Sequence, residues 1–236
     1  MQIEIWSDVV CPWCYVGKRR LESALAGFAH RDEVEVVYRS FELDPSAPHH
    51  GHEPTLGVTA RKYGLSEAET RQMKQQLIEA GAAEGLELRL FDTVHTNTLD
   101  AHRVLHLALA TGGPAVQAEL KEALLAAYFV RAENIGDHDV LRAAATAAGL
   151  DPARVEEVLA SDEYAEDVRA DVARAQAYGA TGVPFYVVDA KYGVSGAQPA
   201  EVFGRVLEQA WADSQPRLSM VGGGDAETCG PDGCAI

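Results

Sequence analysis

The spacing of the hydrophobic positions changes twice along the chain, and each change marks a different kind of element. Residues 2–6 alternate between polar and apolar side chains, and residues 33–41 repeat that period, which predicts two β-strands. Between them, apolar residues recur at helical spacing from Leu21 to Phe28, which predicts a helix with one apolar face. The N-terminal part of the chain is therefore predicted to form a β-α-β unit.

Residues 51–179 carry helical patterns after an opening loop that is rich in Pro, Gly and His. Ser66 and Glu69 have the spacing of a capping box, and Pro114 is placed to open a further helix. Ser161 is placed to cap the last helix of this block. The middle of the chain is therefore predicted to be helical throughout.

Strand patterns return near the C-terminal end. Residues 181–189 are apolar and β-branched, residues 191–197 fit the second arm of a hairpin, and an amphipathic last helix follows. Because strands flank a long helical stretch, we predict an α/β protein with one small sheet and an all-helical insertion. The expected division is a sheet domain at residues 1–50 and 180–215, a helical insertion at residues 51–179, and a flexible tail at residues 216–236.

Charge and composition narrow the class of protein. The net charge of -16 over 236 residues argues against binding to nucleic-acid phosphates, which requires basic patches. No apolar run is long enough to span a membrane, and the chain opens on a strand pattern rather than on a secretory signal. We therefore expect a cytoplasmic protein that binds neither nucleic acid nor membranes.

The four cysteines form two close pairs, Cys11 and Cys14 in "CPWC" and Cys229 and Cys234 in "CGPDGC". In a reducing compartment, such pairs are more often redox-active or metal-binding than structural. The first pair could be a redox pair, half of a zinc site completed by the second pair, or two buried core thiols. The first pair lies where a predicted strand ends and a predicted helix begins, and this position favours the redox interpretation.

The chemistry expected of Cys11 follows from its place at the helix start. Pro12 suits the first helical position, so Cys11 would face the unpaired amides and the positive end of the helix dipole. Both stabilise the thiolate, which is the nucleophile. Cys14 lies one turn further on, close enough to attack a mixed disulfide at Cys11. We therefore predict that Cys11 attacks and Cys14 resolves.

A second motif, "GVPFYVV", carries Pro184 at a strand entrance, where the residues alone predict an ordinary trans-proline. Together, "CPWC" after a first strand, "GVPFYVV" before a hairpin and terminal helix, and the helical block between them resemble the thioredoxin superfamily. Within that superfamily the chain is similar to the DsbA-like family, and most closely to its cytosolic FrnE-like proteins. The resemblance extends to about residue 211.

The resemblance implies a thioredoxin fold with an inserted all-helical domain that caps the active face. It implies that Pro184 is cis and lies beside Cys11, and that the backbone of Val183 pairs with an extended substrate peptide. We expect Pro12 and Trp13 to join Val183 in binding substrate. No organic cofactor or metal is expected.

One departure from the family concerns the proton of the resolving thiol. Many relatives carry a buried acid on the first strand that helps to move this proton, but Ile5 occupies the matching position. Glu4 and Asp8 are interpreted as neighbours in sequence only. The proton acceptor for Cys14 is therefore unassigned.

The tail pair, Cys229 and Cys234, flanks turn-forming residues that would bring the two thiols together. They could form a second redox pair that relays electrons to or from Cys11 and Cys14, or bind a thiophilic metal. Equally, they could be incidental thiols in a flexible tail.

Histidines form two further groups that resemble metal ligands. We predict that His49, His50 and His52 are solvated in their loop, because no further ligand follows at a fixed spacing. His102 and His106 lie one turn apart on a helix, and we predict that they are surface or partly buried residues.

The expected function is that of a thiol-disulfide oxidoreductase or isomerase acting on cysteines of other proteins. An unidentified partner, such as the thioredoxin system or glutathione, would exchange electrons with it. Two rivals stay open: a glutathione-dependent isomerase or transferase of small aromatic or polyketide substrates, whose known members generally lack the second motif cysteine, and a holdase-like chaperone. The redox direction, the substrate and the choice between monomer and homodimer also stay open.

Overall fold

The structure is a computed structural model that describes residues 1–215. The predictions made for residues 216–236, including those for Cys229 and Cys234, lie outside the described residues. No helix in the described part of the chain is long and apolar enough to cross a membrane.

The sheet consists of β1 (Gln2–Ser7), β2 (Glu35–Ser40), β3 (Phe185–Val188) and β4 (Tyr192–Ser195), in the order β2-β1-β3-β4. β1 lies parallel to β2 and antiparallel to β3, and β4 lies antiparallel to β3. The second strand is shorter than predicted, because Arg31–Glu33 forms a 3-10 turn ahead of it.

The helices flank and separate these strands. In chain order they are α1 (Pro12–Gly27), α2 (Thr55–Tyr63), α3 (Glu67–Ala83), α4 (Leu99–Phe129), α5 (His138–Ala147), α6 (Pro152–Leu159), α7 (Ala165–Ala177) and α8 (Ala200–Ser214). α2 to α7 lie in the chain between β2 and β3, as the helical pattern predicts.

Alternate residues of β1 face opposite sides of the sheet, as the period of two requires. Ile5 packs with Leu21 of α1 and Leu207 of α8, whereas Trp6 packs with Ala175 of α7. Both faces of β1 are therefore covered by helices, and the strand is central in the fold.

The helical block has an apolar core around α4 that also includes Tyr15 and Val16 of α1. Gly113 interrupts α4 with a φ of 73° immediately before Pro114, so the helix expected to open at Pro114 follows the preceding one directly across a kink. The capping box of Ser66 and Glu69 is present. The predicted cap at Ser161 is wrong, because α7 begins four residues later and Ser161 Oγ accepts the amide of Glu163 in the intervening turn.

This arrangement, a β-α-β unit and a β-β-α unit joined by helices, is the thioredoxin fold with a helical insertion that the sequence resemblance implies. The exact domain boundaries given above stay a prediction. The carboxyl end of β1 leads directly into α1. The fold therefore places "CPWC" at the carboxyl end of a central strand, where the helical block meets the sheet.

Candidate active site

The turn between β1 and α1 places Cys11 at the start of a helix. Cys11 has an extended backbone with φ -96° and ψ 112°, and Pro12 is the first helical residue. The amide of Cys14 donates to the Cys11 carbonyl at 3.0 Å. The helix therefore begins where the proline pattern predicts, and Cys11 occupies its N-cap position.

The two thiols of the motif are free and have different surroundings. Cys11 is 4% exposed and Cys14 is 3% exposed, yet only Cys11 of the two lines a cavity of about 690 Å³ within the described part of the chain. A substrate in this cavity therefore meets Cys11 first, and Cys14 lies behind it.

Protonation further separates the two cysteines. Burial raises the pKa of the Cys14 thiol well above its usual value, and the hydrogen bond and charge of Cys11 raise it further. Cys14 is therefore a thiol at neutral pH. It must lose its proton before it can act as a nucleophile.

The loop before β3 lies directly against Cys11. The peptide bond between Val183 and Pro184 is cis, as the resemblance implies, and Cys11 Sγ donates to the Val183 carbonyl at 3.6 Å. On the other side of this loop, a Cβ added to Gly17 would lie 3.2 Å from Pro184 Cγ and would overlap Tyr186 Oη. The absence of a side chain at Gly17 lets α1 approach the loop closely.

Each residue expected to contact substrate lines the same cavity. Pro12, Trp13 and Val183 surround Cys11 there, and Trp13 is 42% exposed although it is a large aromatic residue. An exposed indole at a cavity rim offers apolar area to a bound molecule. The structure thus brings the predicted binding residues together around one thiol.

The cavity wall also contains a buried lysine that the sequence analysis did not single out. Lys74 Nζ donates to Thr55 Oγ1 at 2.7 Å and to the Leu90 carbonyl at 2.8 Å. Burial lowers the pKa of Lys74 to about 8. This lysine is the buried positive charge of an otherwise largely apolar wall.

Asp8 corrects the interpretation that it is only a sequence neighbour of the motif. It is fully buried, and its carbonyl accepts the amide of Cys11 at 3.4 Å. Its carboxylate accepts the amide of Leu43 at 2.8 Å and lies 3.2 Å from His102 Nε2. Burial by itself would raise the pKa of Asp8, but the hydrogen bond and charge of His102, together with the Leu43 amide and the charge of Lys121, outweigh burial and lower it. Since an ionised carboxylate only accepts, His102 Nε2 carries the hydrogen of that bond.

The histidines and Glu4 are placed differently from one another. His49, His50 and His52 are exposed, as predicted. The prediction for His102 is wrong, because it is buried against Asp8. His106 is partly buried, as predicted, with Nε2 3.1 Å from Ser40 Oγ. Glu4 accepts hydrogen bonds from the guanidinium groups of Arg39 and Arg174.

Lys121 is a buried residue beneath the motif that sequence reasoning missed. It is 1% exposed, and its Nζ donates to the Ser7 carbonyl at 3.5 Å. A signal for it exists in the sequence: Lys121 falls at helical spacing with Gln117, Leu124 and Tyr128, all buried on one face of α4. A charged residue on an apolar stripe marks an unusual site.

A network of charges fixes α1 against α4 beside this lysine. Glu122 accepts from Tyr15 Oη at 2.6 Å, from Lys18 Nζ at 2.6 Å and from Arg19 Nη2 at 2.5 Å. Burial opposes its ionisation, but these hydrogen bonds, led by that of Arg19, lower the pKa of Glu122 to about 2. The two helices that carry Cys14 and Lys121 are thereby held together at neutral pH.

A sheet of this order, a CxxC pair at the first helix start and a cis-proline loop beside the first cysteine define the class of thioredoxin-fold thiol-disulfide proteins. The family model for the DSBA-like thioredoxin domain matches residues 2–208. The chain therefore belongs to the DsbA-like family of thiol-disulfide oxidoreductases.

Individual proteins are also similar to this chain in sequence or fold. The crystal structure of a probable DsbA oxidoreductase from Streptomyces coelicolor is 48% identical, covers 100% of this chain and 99% of its own, and superposes with a TM-score of 0.86. The uncharacterized protein YwbO of Bacillus subtilis (strain 168) is 29% identical over 92% of this chain and 98% of its own length. The structure of a 2-hydroxychromene-2-carboxylate isomerase shares the fold, with a TM-score of 0.64 at 15% identity over 91% of this chain and 100% of its own.

Proposed function

We propose that this protein is a FrnE-like thiol-disulfide oxidoreductase that acts on the disulfides of other proteins. The observation that carries the proposal is the unequal placement of the two thiols: Cys11 lines the cavity beside the Val183 carbonyl, and Cys14 is enclosed behind it. The Cys11 thiolate attacks a substrate disulfide and releases one substrate thiolate. Cys14 then attacks Cys11, which frees the second substrate thiol and leaves a Cys11–Cys14 disulfide.

The surroundings of Cys11 suit a peptide substrate. The cis-proline loop presents backbone at Val183 to an extended chain, a contact that gives affinity without much sequence preference. Pro12 and Trp13 add apolar contacts at the rim. We propose that the partners are cytoplasmic proteins with cysteines, together with a redox partner from the thioredoxin system or glutathione. Function as a monomer or homodimer stays a prediction.

The test is reduction of insulin disulfides and reactivation of scrambled ribonuclease, run with the tail cysteines replaced by Ser. We expect turnover by the otherwise unaltered protein and loss of turnover in Cys11→Ser. Lack of turnover in both assays, in either redox direction, would contradict the proposal. A holdase-like chaperone would instead suppress aggregation equally well with and without Cys11.

The size of the cavity favours one alternative, a glutathione-dependent isomerase or transferase of small aromatic substrates. A cavity of about 690 Å³ is large enough for such a molecule, and Lys74 in its wall could bind an anionic group on it. A glutathione-conjugation assay with an aromatic electrophile separates the two functions. The alternative predicts activity that survives Cys14→Ser and falls in Lys74→Met, whereas the oxidoreductase requires Cys14 for turnover.

A further inference from the structure

The mechanism leaves one chemical requirement unmet, the removal of the proton from Cys14. Cys14 is only 3% exposed, so bulk water has little contact with it. The position at which many relatives hold an acid is occupied by Ile5. A group inside the fold must therefore take the proton.

We propose that Lys121 accepts the proton of Cys14 during attack on the mixed disulfide, and that Asp8, held by His102, tunes Lys121 for this role. The inference rests on the proposed disulfide exchange and assigns its proton acceptor. In this role, Lys121 of the helical block would take part in the reaction of a motif that lies on the sheet domain.

The geometry places Lys121 directly beneath the turn that carries the motif. Its Nζ lies 3.5 Å from the carbonyl of Ser7, the last residue of β1, and 5.8 Å from the ring centroid of Tyr38 on β2. Cys11 and Cys14 follow Ser7 within a few residues of chain. α4 thus brings an amine under the same strand end that delivers the two thiols.

Lys121 is poorly satisfied as a cation. The 3.5 Å contact with Ser7 is its one hydrogen bond within residues 1–215, although an ammonium has three donors. No carboxylate of the described chain forms a salt bridge with it, whereas Lys18 on the facing helix pairs with both Glu22 and Glu122. An ammonium without strong acceptors in a buried site is poised to exist as the neutral amine.

The charged groups around Lys121 support proton exchange with Cys14. α1 contributes Cys14 and the like charge of Lys18, and the turn before it contributes Asp8 and Cys11. β2 contributes the ring of Tyr38. Burial lowers the pKa of Lys121 to about 8, and its interactions with Cys14, Asp8 and Cys11 limit the fall. About a tenth of the molecules therefore carry the neutral amine at pH 7.

The other acids near the motif are less suited to accept this proton. Asp8 is already engaged by the Leu43 amide and by His102, and its lowered pKa makes it a weak base. Glu4 is paired with Arg39 and Arg174. Of these three residues, Lys121 is the one that has no strong hydrogen-bond partner within residues 1–215.

The step balances without any group beyond the substrate disulfide. The S–H bond of Cys14 breaks and its proton moves to Lys121 Nζ. The Cys14 sulfur then forms a bond to Cys11 Sγ, and the bond between Cys11 and the substrate sulfur breaks. Its electron pair leaves with the substrate thiolate, which is the reduced product, while Cys11 and Cys14 become the oxidised disulfide.

The test separates the two steps by rapid acid quench and mass spectrometry on a peptide disulfide, from pH 6 to 10, with the tail cysteines replaced by Ser. We expect the resolution rate of the parent to rise with pH and level off near the pKa of Lys121, about 8. Lys121→Met should slow resolution at least tenfold at pH 7 and remove that inflection. Formation of the mixed disulfide at Cys11 should stay within about twofold of the parent.

Further variants distinguish proton acceptance from mere charge or packing. Lys121→Arg keeps the positive charge but cannot accept a proton, so it should also lack the inflection. Asp8→Asn removes a negative charge that favours the ammonium, so the inflection should move to lower pH. Gln117→Leu removes the contacts of the same helix with the backbone of Tyr38 and should leave the inflection in place; melting curves check that every variant folds.

Three outcomes would overturn the assignment of Lys121 and leave the proposed function standing. An unchanged inflection in Lys121→Met would do so, as would full rescue by Lys121→Arg, which would make Lys121 a charge only. Loss of the inflection in Asp8→Asn but not in Lys121→Met would make Asp8 the acceptor. If the parent forms no mixed disulfide at all, the proposed function fails and the proton acceptor fails with it.

Discussion

The two sides of the turn between β1 and α1 have opposite characters. On one side Cys11 meets a cavity of about 690 Å³ whose rim includes Trp13. On the other side Cys14 is enclosed near Asp8 and Lys121, both of which are buried. The difference indicates that one turn of helix separates exchange with a substrate from handling of a proton, and the sequence spacing of CxxC alone describes neither environment.

Lys74 and Lys121, two buried lysines on the two sides of this turn, also differ in their surroundings. Burial lowers the pKa of both Lys74 and Lys121 to about 8. Lys74 in the cavity wall donates to two oxygens at 2.7 and 2.8 Å, whereas Lys121 has one contact at 3.5 Å. Similar pKa values with unequal hydrogen bonding suggest a structural or binding role for Lys74 and a reactive role for Lys121.

The largest expected effect is that of Cys14→Ser, which uncouples the two sides of the turn between β1 and α1. Cys14→Ser keeps the cavity-facing thiol and removes the enclosed one, so the covalent intermediate should accumulate to about one equivalent. Steady-state turnover should fall close to the uncatalysed level, because a covalent catalyst that cannot release its intermediate does not complete its cycle. Mass spectrometry of the intact protein measures the adduct. Turnover near that of the parent would show that Cys14 does not resolve.

Replacement of Lys121 should raise the stability of the protein, although it should slow the attack of Cys14. The folded pKa of Lys121, about 8, lies below its ordinary value of 10.5, so burial of its charge destabilises the folded state. This destabilisation grows as pH falls from about 10.5 to about 8 and is complete below that. Lys121→Met should therefore raise the free energy of unfolding at pH 7 by on the order of 3 kcal/mol, and the gain should shrink toward pH 10.

Urea unfolding at pH 7 and pH 10 measures this difference. Lys74→Met serves as the comparison: its gain should be smaller, because it leaves Thr55 Oγ1 and the Leu90 carbonyl without their donor. A loss of stability in Lys121→Met at pH 7 would contradict the view that its charge is uncompensated.

Close packing between α1 and the loop that carries Pro184 holds the walls around Cys11 in place. Gly17→Ala should destabilise the protein by about 1–3 kcal/mol, because the new methyl overlaps Tyr186 Oη. Tyr186 Oη is buried and has no hydrogen-bond partner within residues 1–215. Tyr186→Phe should therefore cost little by itself and should rescue Gly17→Ala in the double variant. Thermal unfolding of the four proteins tests this coupling, and additive effects would contradict it.

The smallest expected effect concerns the rim of the cavity. Trp13→Ala should raise KM for a peptide disulfide severalfold with little change in kcat, since it removes apolar contact and no reacting group. Stability should change by less than about 0.5 kcal/mol, because the side chain lies at the solvent-exposed rim of the cavity. Phe91→Ala, at a similarly exposed aromatic residue outside the cavity wall, is the matched control. Equal KM effects in both variants would remove Trp13 from the binding surface.

Local patterns predicted the elements that carry the motif. The alternation in β1, the proline after Cys11 and the apolar stripe of α1 all report on neighbouring residues, and each predicted element is present. The cis bond at Pro184 could not be predicted from proline statistics; it followed only from the resemblance to a family. The predicted roles of Cys11, Cys14 and Pro184 stay predictions.

The enclosed side of the site was missed because its members are distant in sequence. His102 is 94 residues from Asp8, and Lys121 is 114 residues from Ser7, the residues that they contact. No local spacing encodes such contacts, and a lone buried charge resembles an ordinary surface residue until the helix face is known. Asp8 was dismissed for the same reason, since its partners come from α4 and from the loop after β2.

The difference between the two thiols is measured most directly by timed alkylation of the reduced protein at pH 7. The tail cysteines are replaced by Ser, and the label is located by peptide mapping. The account predicts that Cys11 reacts at least tenfold faster than Cys14, because Cys11 lines the cavity and burial keeps Cys14 protonated by raising its pKa. Labelling of Cys14 as fast as Cys11, or before it, would contradict the division of labour between the two thiols.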